Sequence, residues 1–267
     1  MKNYKKISPV VVLILLILVF ISCEISNSNK NSDELVEVQK GDTVFRYFDK
    51  EKTHLAELRY YKDDQVYVEH FSSEGYLIGE GFVINDSIPI GMQIYYRQDG
   101  SVLAKEEFKF ITNALYLNQQ FIYDDQNQLT TEGHFFYCQI NDTLKGNQLK
   151  GFIELDMPYF RTDSVSVHLI TPKNIRRNFK KDFSNIDKVK RDTFVNLSLD
   201  TINYERLINH PNSSPFIPNL SVAFNKEIEV EKDFYFRAIL VEKSHKGENE
   251  NERFYYIEKK IIKQDKI

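Results

Sequence analysis

The stretch IYYRQDGSVLAKEEF, residues 94–108, holds an aromatic strand, an Asp-Gly turn and a second strand closing on Phe108. Whether it stands alone or recurs decides whether the first half of the chain is a globule or a repetitive sheet. Sliding it along the chain aligns four segments beginning at Phe48, Phe71, Tyr96 and Tyr123, spaced 23, 25 and 27 residues apart. The first residue of each is aromatic. Four positions on stand Lys52, Gly75, Gly100 and Asn127, and the last three tolerate the left-handed backbone that tight hairpin turns require. Eight positions on, the residue is always small: Ala56, Gly79, Ala104 and Thr131. Positions six, eight, ten and twelve share one strand face. The opposite face carries Glu57, Glu80, Lys105 and Glu132 at position nine. Each unit is expected to be a hairpin with one apolar and one charged face, the small residue leaving room for a ring from its neighbour.

These residues resemble MORN-like repeats of bacterial proteins, which run as an aromatic pair, an Asp-Gly or Asn-Gly turn and a following strand. Tyr95 to Gly100 is the closest stretch, and Phe71 to Gly81 the next. The resemblance covers a third of the chain. It implies an elongated, twisted antiparallel sheet of successive hairpins, and it implies no catalytic residue. Bacterial MORN-like proteins are often grouped with cytoplasmic antitoxins, a role that the export signal described next contradicts.

Residues 1–22 carry that signal. Lys2, Lys5 and Lys6 form a positive start, and Val10 to Ile21 is an unbroken apolar run of signal-peptide length, too short for the roughly 20 residues of a membrane span. Phe20-Ile21-Ser22-Cys23 resembles the lipobox of bacterial lipoproteins, with Phe20 where Leu is usual. The resemblance implies lipidation of Cys23 and a place in the cell envelope, on the outer membrane before the inner, with the membrane as first partner. Residues 23–42, rich in Asn, Ser and charge, read as a tether. With Cys23 acylated, Cys138 has no disulfide partner and is expected to be a buried free thiol.

The repeat is read over 43–148, and from 149 a different pattern begins. Val165, Val167 and Leu169, then Leu220, Val222 and Phe224, then Phe234, Phe236, Ala238 and Leu240 alternate with polar residues, as the strands of a β-sandwich do. One segment breaks the alternation. Ile175, Phe179, Phe183 and Ile186 fall at helical spacing behind a capping Asn174, which predicts one short helix. Its other face carries Arg176, Arg177, Lys180, Lys181 and Lys188, either a solvated side or a patch for anionic headgroups or acidic glycans. The expected fold is all-β: a hairpin-repeat sheet, then a sandwich over 149–267 with that helix.

Chemistry is harder to find. A net charge of −4 and a pI near 5.9 supply no basic face for nucleic acid. The six histidines lack metal-ligand spacing and two cysteines are too few for a sulfur site, so neither metal nor cofactor is expected. Glu106 and Glu107 are adjacent in a strand and point to opposite faces. No nucleophile elbow or phosphate loop is present. The functional expectation is a lipid-anchored, non-catalytic binding or scaffolding module with a protein or glycan partner. The alternative is an envelope hydrolase acting on glycan or peptide through scattered residues. Converging carboxylates or a Ser-His pair in a cleft favours the enzyme; an exposed aromatic strip on a flat sheet favours binding.

Overall fold

A computed structural model describes residues 35–62, 65–144, 146–161, 164–208, 216–245 and 251–264. The expected signal peptide, Cys23 and the tether up to residue 34 lie outside them. Eight antiparallel strands follow one another in chain order and in sheet order: β1 (Val36–Lys40), β2 (Thr43–Tyr47), β3 (Leu55–Lys62), β4 (Gln65–Phe71), β5 (Leu77–Ile84), β6 (Ile88–Tyr96), β7 (Val102–Ile111) and β8 (Ala114–Ile122). The sheet begins inside the stretch read as tether. Val36 and Val38 pair with Tyr47 and Phe45, and Gly41, at φ 63, makes the turn. The polar residues between the valines disguise a short edge strand as linker.

The stretch 94–108 is the β6–β7 hairpin, and its turn recurs. Lys52, Gly75, Gly100 and Asn127 all adopt left-handed backbone, at φ 61, 88, 81 and 60. In each, this residue's N–H donates to the carbonyl three residues earlier, on Asp49, Ser72, Arg97 and Asp124. A register shift sits beside three of the turns, at Arg46/Tyr47, His70/Phe71 and Tyr95/Tyr96. A turn closed by a left-handed residue with a bulge is a favoured hairpin solution, and each bulge adds to the sheet's twist.

The fourth unit breaks off. After Asn127 the chain makes single bridges, Tyr123 to Leu129 and Gln120 to His134, and then leaves the sheet. Phe135 stacks on Phe121 of β8 at 4.5 Å, while Phe136 enters the sandwich core. These two adjacent buried rings tie the repeat to the next domain, ahead of the boundary read at 148. From here β9 (Phe135–Ile140), β11 (Gln148–Met157) and β14 (Ser221–Glu227) form a three-stranded sheet in the order β14-β11-β9. A five-stranded sheet runs β10 (Thr143–Leu144), β16 (Asn251–Lys263), β15 (Phe234–Ser244), β12 (Val165–Pro172), β13 (Arg191–Val195). Ile153, Leu155, Val222 and Phe224 of the first sheet meet Leu169, Phe236, Leu240 and Tyr255 of the second in one core, the inner layer of a sandwich.

The helix expected over 175–186 does not form. Residues 175–177 make one 3-10 turn, which Asn174 caps as expected by accepting from Arg176 N at 2.9 Å. The chain then extends at Asn178 and is left-handed at Phe183, φ 54, and a second 3-10 turn covers 186–188. Two asparagines take over backbone groups that a helix needs: Asn178 Oδ1 accepts from Phe179 N at 2.8 Å, and Asn185 Oδ1 accepts from Lys180 N at 2.8 Å. Phe179 and Phe183 are nonetheless buried, with Ile239, Val241 and Ile111, on the outer face of the five-stranded sheet. The short helix of the fold is α1 (Thr201–Ile208), where Asp200 accepts from Asn203 N at 3.2 Å.

Candidate interaction surface

Strand register sorts the eight-stranded sheet into two unlike faces. On one lie Val44, Arg59, Val66, Val68, Val83 and Gln93, all buried. A Cβ on Gly79 would meet the Tyr95 ring at 3.3 Å, so the small residue at position eight does leave space for a neighbouring ring. A Cβ on Gly81 would lie 2.2 Å from the Gln93 carboxamide, which donates to Phe82 O and Ile90 O at 2.9 and 3.1 Å.

The other face is open. Pairing places Tyr60, Tyr67, Phe82 and Ile90 in one row across four strands. The Tyr60 and Tyr67 ring centroids are 6.3 Å apart, and Tyr67 meets Phe82 edge-on at 5.0 Å, a favourable geometry for rings. Tyr60, Phe82 and Met92 are each 39% exposed. The adjacent row runs Leu58, Glu69, Glu80, Ile94, Lys105, so Glu69 stands directly opposite Glu80. Partial burial and then the Glu80 charge hold the Glu69 carboxyl above its ordinary range. Tyr96 donates to Glu80 at 2.5 Å, and burial followed by this bond pushes its phenol up to about 12. The surface is therefore a strip of rings bordered by an acidic pair.

The site residues read from the sequence are distributed. Gly75, Gly100 and Asn127 form turns along one edge; Phe71 and Tyr123 flank two of them, and Phe48 flanks the Lys52 turn. Tyr96 reaches the strip through its bond to Glu80. Tyr67 and Glu69 lie beyond the twelve positions aligned from each unit's first aromatic residue, although the alternation Tyr67, Glu69, Phe71 in β4 carries the signal. Arg176, Arg177, Lys180 and Lys181 are exposed on the sandwich loop. Cys138 has a free, half-buried thiol that burial pushes up to about 11. Glu106 and Glu107 face opposite ways: Glu106 accepts from Gln120 at 2.7 Å, Glu107 from Asn118 at 2.7 Å.

Two polar groupings outside the strip have chemical interest. Ser166 Oγ lies 2.7 Å from His245 Nε2 on an exposed strand end. A shallow cleft of about 310 Å³ is lined by Gln139, Ile140, Asn141, Lys150, Gly151 and Phe152, and neither Ser166 nor His245 borders it. At the junction of the two domains, buried Glu242 accepts from Tyr159 N, Phe160 N and the Tyr255 hydroxyl at 3.0, 2.7 and 2.7 Å. The Arg253 guanidinium lies over the rings of Tyr116, Tyr159 and Tyr255 at 4.6, 5.0 and 5.7 Å. Burial, then the Arg253 and Arg161 charges, push His134 down to about 3. Glu242 and Arg253 bond largely to backbone and neighbouring rings, which is the work of a clamp. Among the described residues, no group of three or more His, Cys, Asp or Glu is placed to hold a metal ion.

No protein-family model matches the chain, and no curated protein sequence matches it. Among solved structures, a crystal structure of TarM is 12% identical with a TM-score of 0.28, covering 42% of this chain and 21% of that one. A structure of a mutant S. aureus TarM in complex with Fondaparinux, alpha-GlcNAc-glycerol and UDP is 10% identical with a TM-score of 0.28, covering 48% of this chain and 30% of that one. The chain thus spans less than a third of the length of these proteins.

Proposed function

We propose that this chain is a lipid-anchored, non-catalytic binding or scaffolding module of the bacterial cell envelope, built on MORN-like hairpins, whose sheet offers the Tyr60–Tyr67–Phe82 row to a protein or glycan partner. The observation that carries the reading is that row: rings on the open face of a sheet, part-exposed and edged by Glu69 and Glu80. Aromatic anchors within a polar rim are what interaction patches are made of, and rings held by strands lose little freedom when a partner arrives. The anchor rests on Cys23 and the residues before it. Each buried CH₂ of an acyl chain adds about 0.8 kcal/mol of membrane affinity, so two or more chains hold stably.

Two experiments test the two halves. The Cys23→Ala variant is expected to leave the membrane fraction and lose lipid label; retention with unchanged mobility counts against the anchor. A photo-crosslinker at Met92 in the native cells is expected to trap the partner. Tyr60→Ser with Phe82→Ser, both at exposed positions, is expected to abolish the adduct, and an unchanged adduct pattern removes the strip from the proposal.

The hydrolase reading has one observation in its favour, the Ser166–His245 contact. With Ser166 as its nucleophile it predicts that a fluorophosphonate probe labels the intact protein and that Ser166→Ala abolishes the label; no label on intact protein removes this pair from the reading.

A further inference from the structure

Residues 173–190, the loop from β12 to β13, hold seven Lys and Arg against two Asp, a net of +5 in a chain whose total is −4, so the remainder carries −9. Arg176, Arg177, Lys180, Lys181, Lys188 and Lys190 are all exposed. Among the described residues none of them forms an ion pair. Asp182 is engaged by Ser184 N at 3.2 Å. The loop is nevertheless fixed in place. Lys173 N bonds Lys190 O at 2.7 Å and closes its neck. Phe179 and Phe183 are buried in the outer core of the sandwich. Thr112 N, from the β7–β8 turn, bonds Asp182 O at 3.0 Å, and Arg237 Nη1 bonds Phe179 O at 3.1 Å. Phe179 and Phe183 turn inward, and the cations are left exposed on a segment whose backbone is tied down at both its neck and its middle.

We infer that this loop docks the sandwich onto the anionic phospholipid headgroups of the membrane that holds the anchor. The inference rests on the lipid-anchor reading for one point, a bilayer within reach: residues 24–35 span up to about 40 Å when extended. The exposed cations are distributed along the loop from position 176 to position 190, which suits a diffuse charged surface better than a single bound anion. Each Lys or Arg close to such a surface strengthens association by a factor of roughly five. The acyl chains retain the protein; the loop sets which side of it faces the lipid and thereby holds the hairpin sheet in one orientation.

The test is amine acetylation of the full-length acylated protein in vesicles, read residue by residue by mass spectrometry. On phosphatidylcholine vesicles containing phosphatidylglycerol, Lys180, Lys181, Lys188 and Lys190 are expected to react several-fold more slowly than on phosphatidylcholine alone. Lys50 and Lys52, in a turn at the edge of the hairpin sheet away from the loop, are expected to react equally on both. At 1 M salt, where screening acts within about 3 Å, the protection is expected to vanish. Arg176→Gln with Arg177→Gln, both at exposed positions, is expected to weaken it by roughly fivefold per charge. Equal reactivity on the two vesicle types overturns the inference. Protection by a soluble acidic polysaccharide but not by anionic vesicles also overturns it and identifies a glycan as the occupant. Failure of the anchor reads differently: the protein then appears in the supernatant of neutral vesicles while anionic ones still bind it.

Discussion

Lys52 occupies the position that Gly75, Gly100 and Asn127 fill in the other hairpins, and it adopts the same left-handed backbone at φ 61. For a residue with a Cβ this conformation costs roughly 1–2 kcal/mol, and the first turn is the wider one: Phe48 N bonds His54 O, six residues on, where Arg97 N bonds Ser101 O, four on, and the Asp49 carboxylate accepts from Thr53 N and His54 N at 2.9 and 2.6 Å. Lys52→Gly is therefore expected to stabilise the protein by about 0.5–1 kcal/mol, read as a raised urea midpoint with an unchanged slope, and Gly100→Ala to destabilise it by a similar amount. On the sheet's inner face the same reasoning changes sign. A methyl group on Gly81 displaces the Gln93 carboxamide from Phe82 O and Ile90 O, so Gly81→Ala is expected to cost about 1–3 kcal/mol. Adding Gln93→Ala should recover part of that loss; a fully additive double variant means that the steric contact is not its cause.

At the scale of elements, what could be read in the sequence was what repeats or alternates. The four turns, the small residues beside neighbouring rings and the alternation in β12, β14 and β15 each follow from local spacing. The 173–190 loop shows where spacing runs out. Phe179 and Phe183, four residues apart, are buried together in either a helix or an irregular loop. The choice was made by Asn178 and Asn185 bonding the backbone and by the apolar outer sheet face at Ile239 and Val241 that the two rings cover. The open-face strip was legible only in part, because Tyr60, Tyr67 and Phe82 meet through strand register, which no single hairpin contains. The loop's apolar residues carry its stability. Phe179→Ala, at a position 1% exposed, is expected to cost about 3–5 kcal/mol in chemical denaturation, and Arg176→Ala less than about 0.5 kcal/mol.

At the scale of the whole molecule, the domain junction also sets the response to acid. His134 is held neutral, moved from an ordinary value of 6.5 to about 3 by burial and by the Arg253 and Arg161 charges. Between those values the unfolded chain takes up a proton that the folded one lacks, so this contribution to stability is complete above about 6.5 and is lost as pH falls toward 3. Glu242 is shifted upward by its burial. Its folded state favours the protonated carboxyl, which adds stability in acid and loses it as pH rises, so it partly offsets the histidine. His134→Gln is expected to flatten the acid limb of unfolding free energy against pH; an unchanged limb means that His134 takes up its proton without unfolding the junction.

The junction bonds also predict how stability is distributed along the sheet. Asn118, the residue that the β7–β8 register skips, bonds both backbone groups of Tyr256, accepting from its N–H at 2.7 Å and donating to its carbonyl at 3.1 Å. Tyr116 donates to Phe254 O at 2.6 Å, Arg253 bonds Leu117 O, and Thr112 bonds Asp182 O. All these ties come from the β7–β8 hairpin. A meander in which each strand has only its neighbours is stabilised nearly one interface at a time, so the end joined to the sandwich opens last and the β1 end first. Amide exchange is expected to quicken stepwise from β8 to β1. Asn118→Ala leaves two buried backbone groups of Tyr256 without partners, at about 1–3 kcal/mol each, and should speed exchange in β7, β8 and β16 together while leaving β12 little changed. If β1 to β3 exchange as slowly as β16, sheet and sandwich unfold as one unit and the graded picture is wrong.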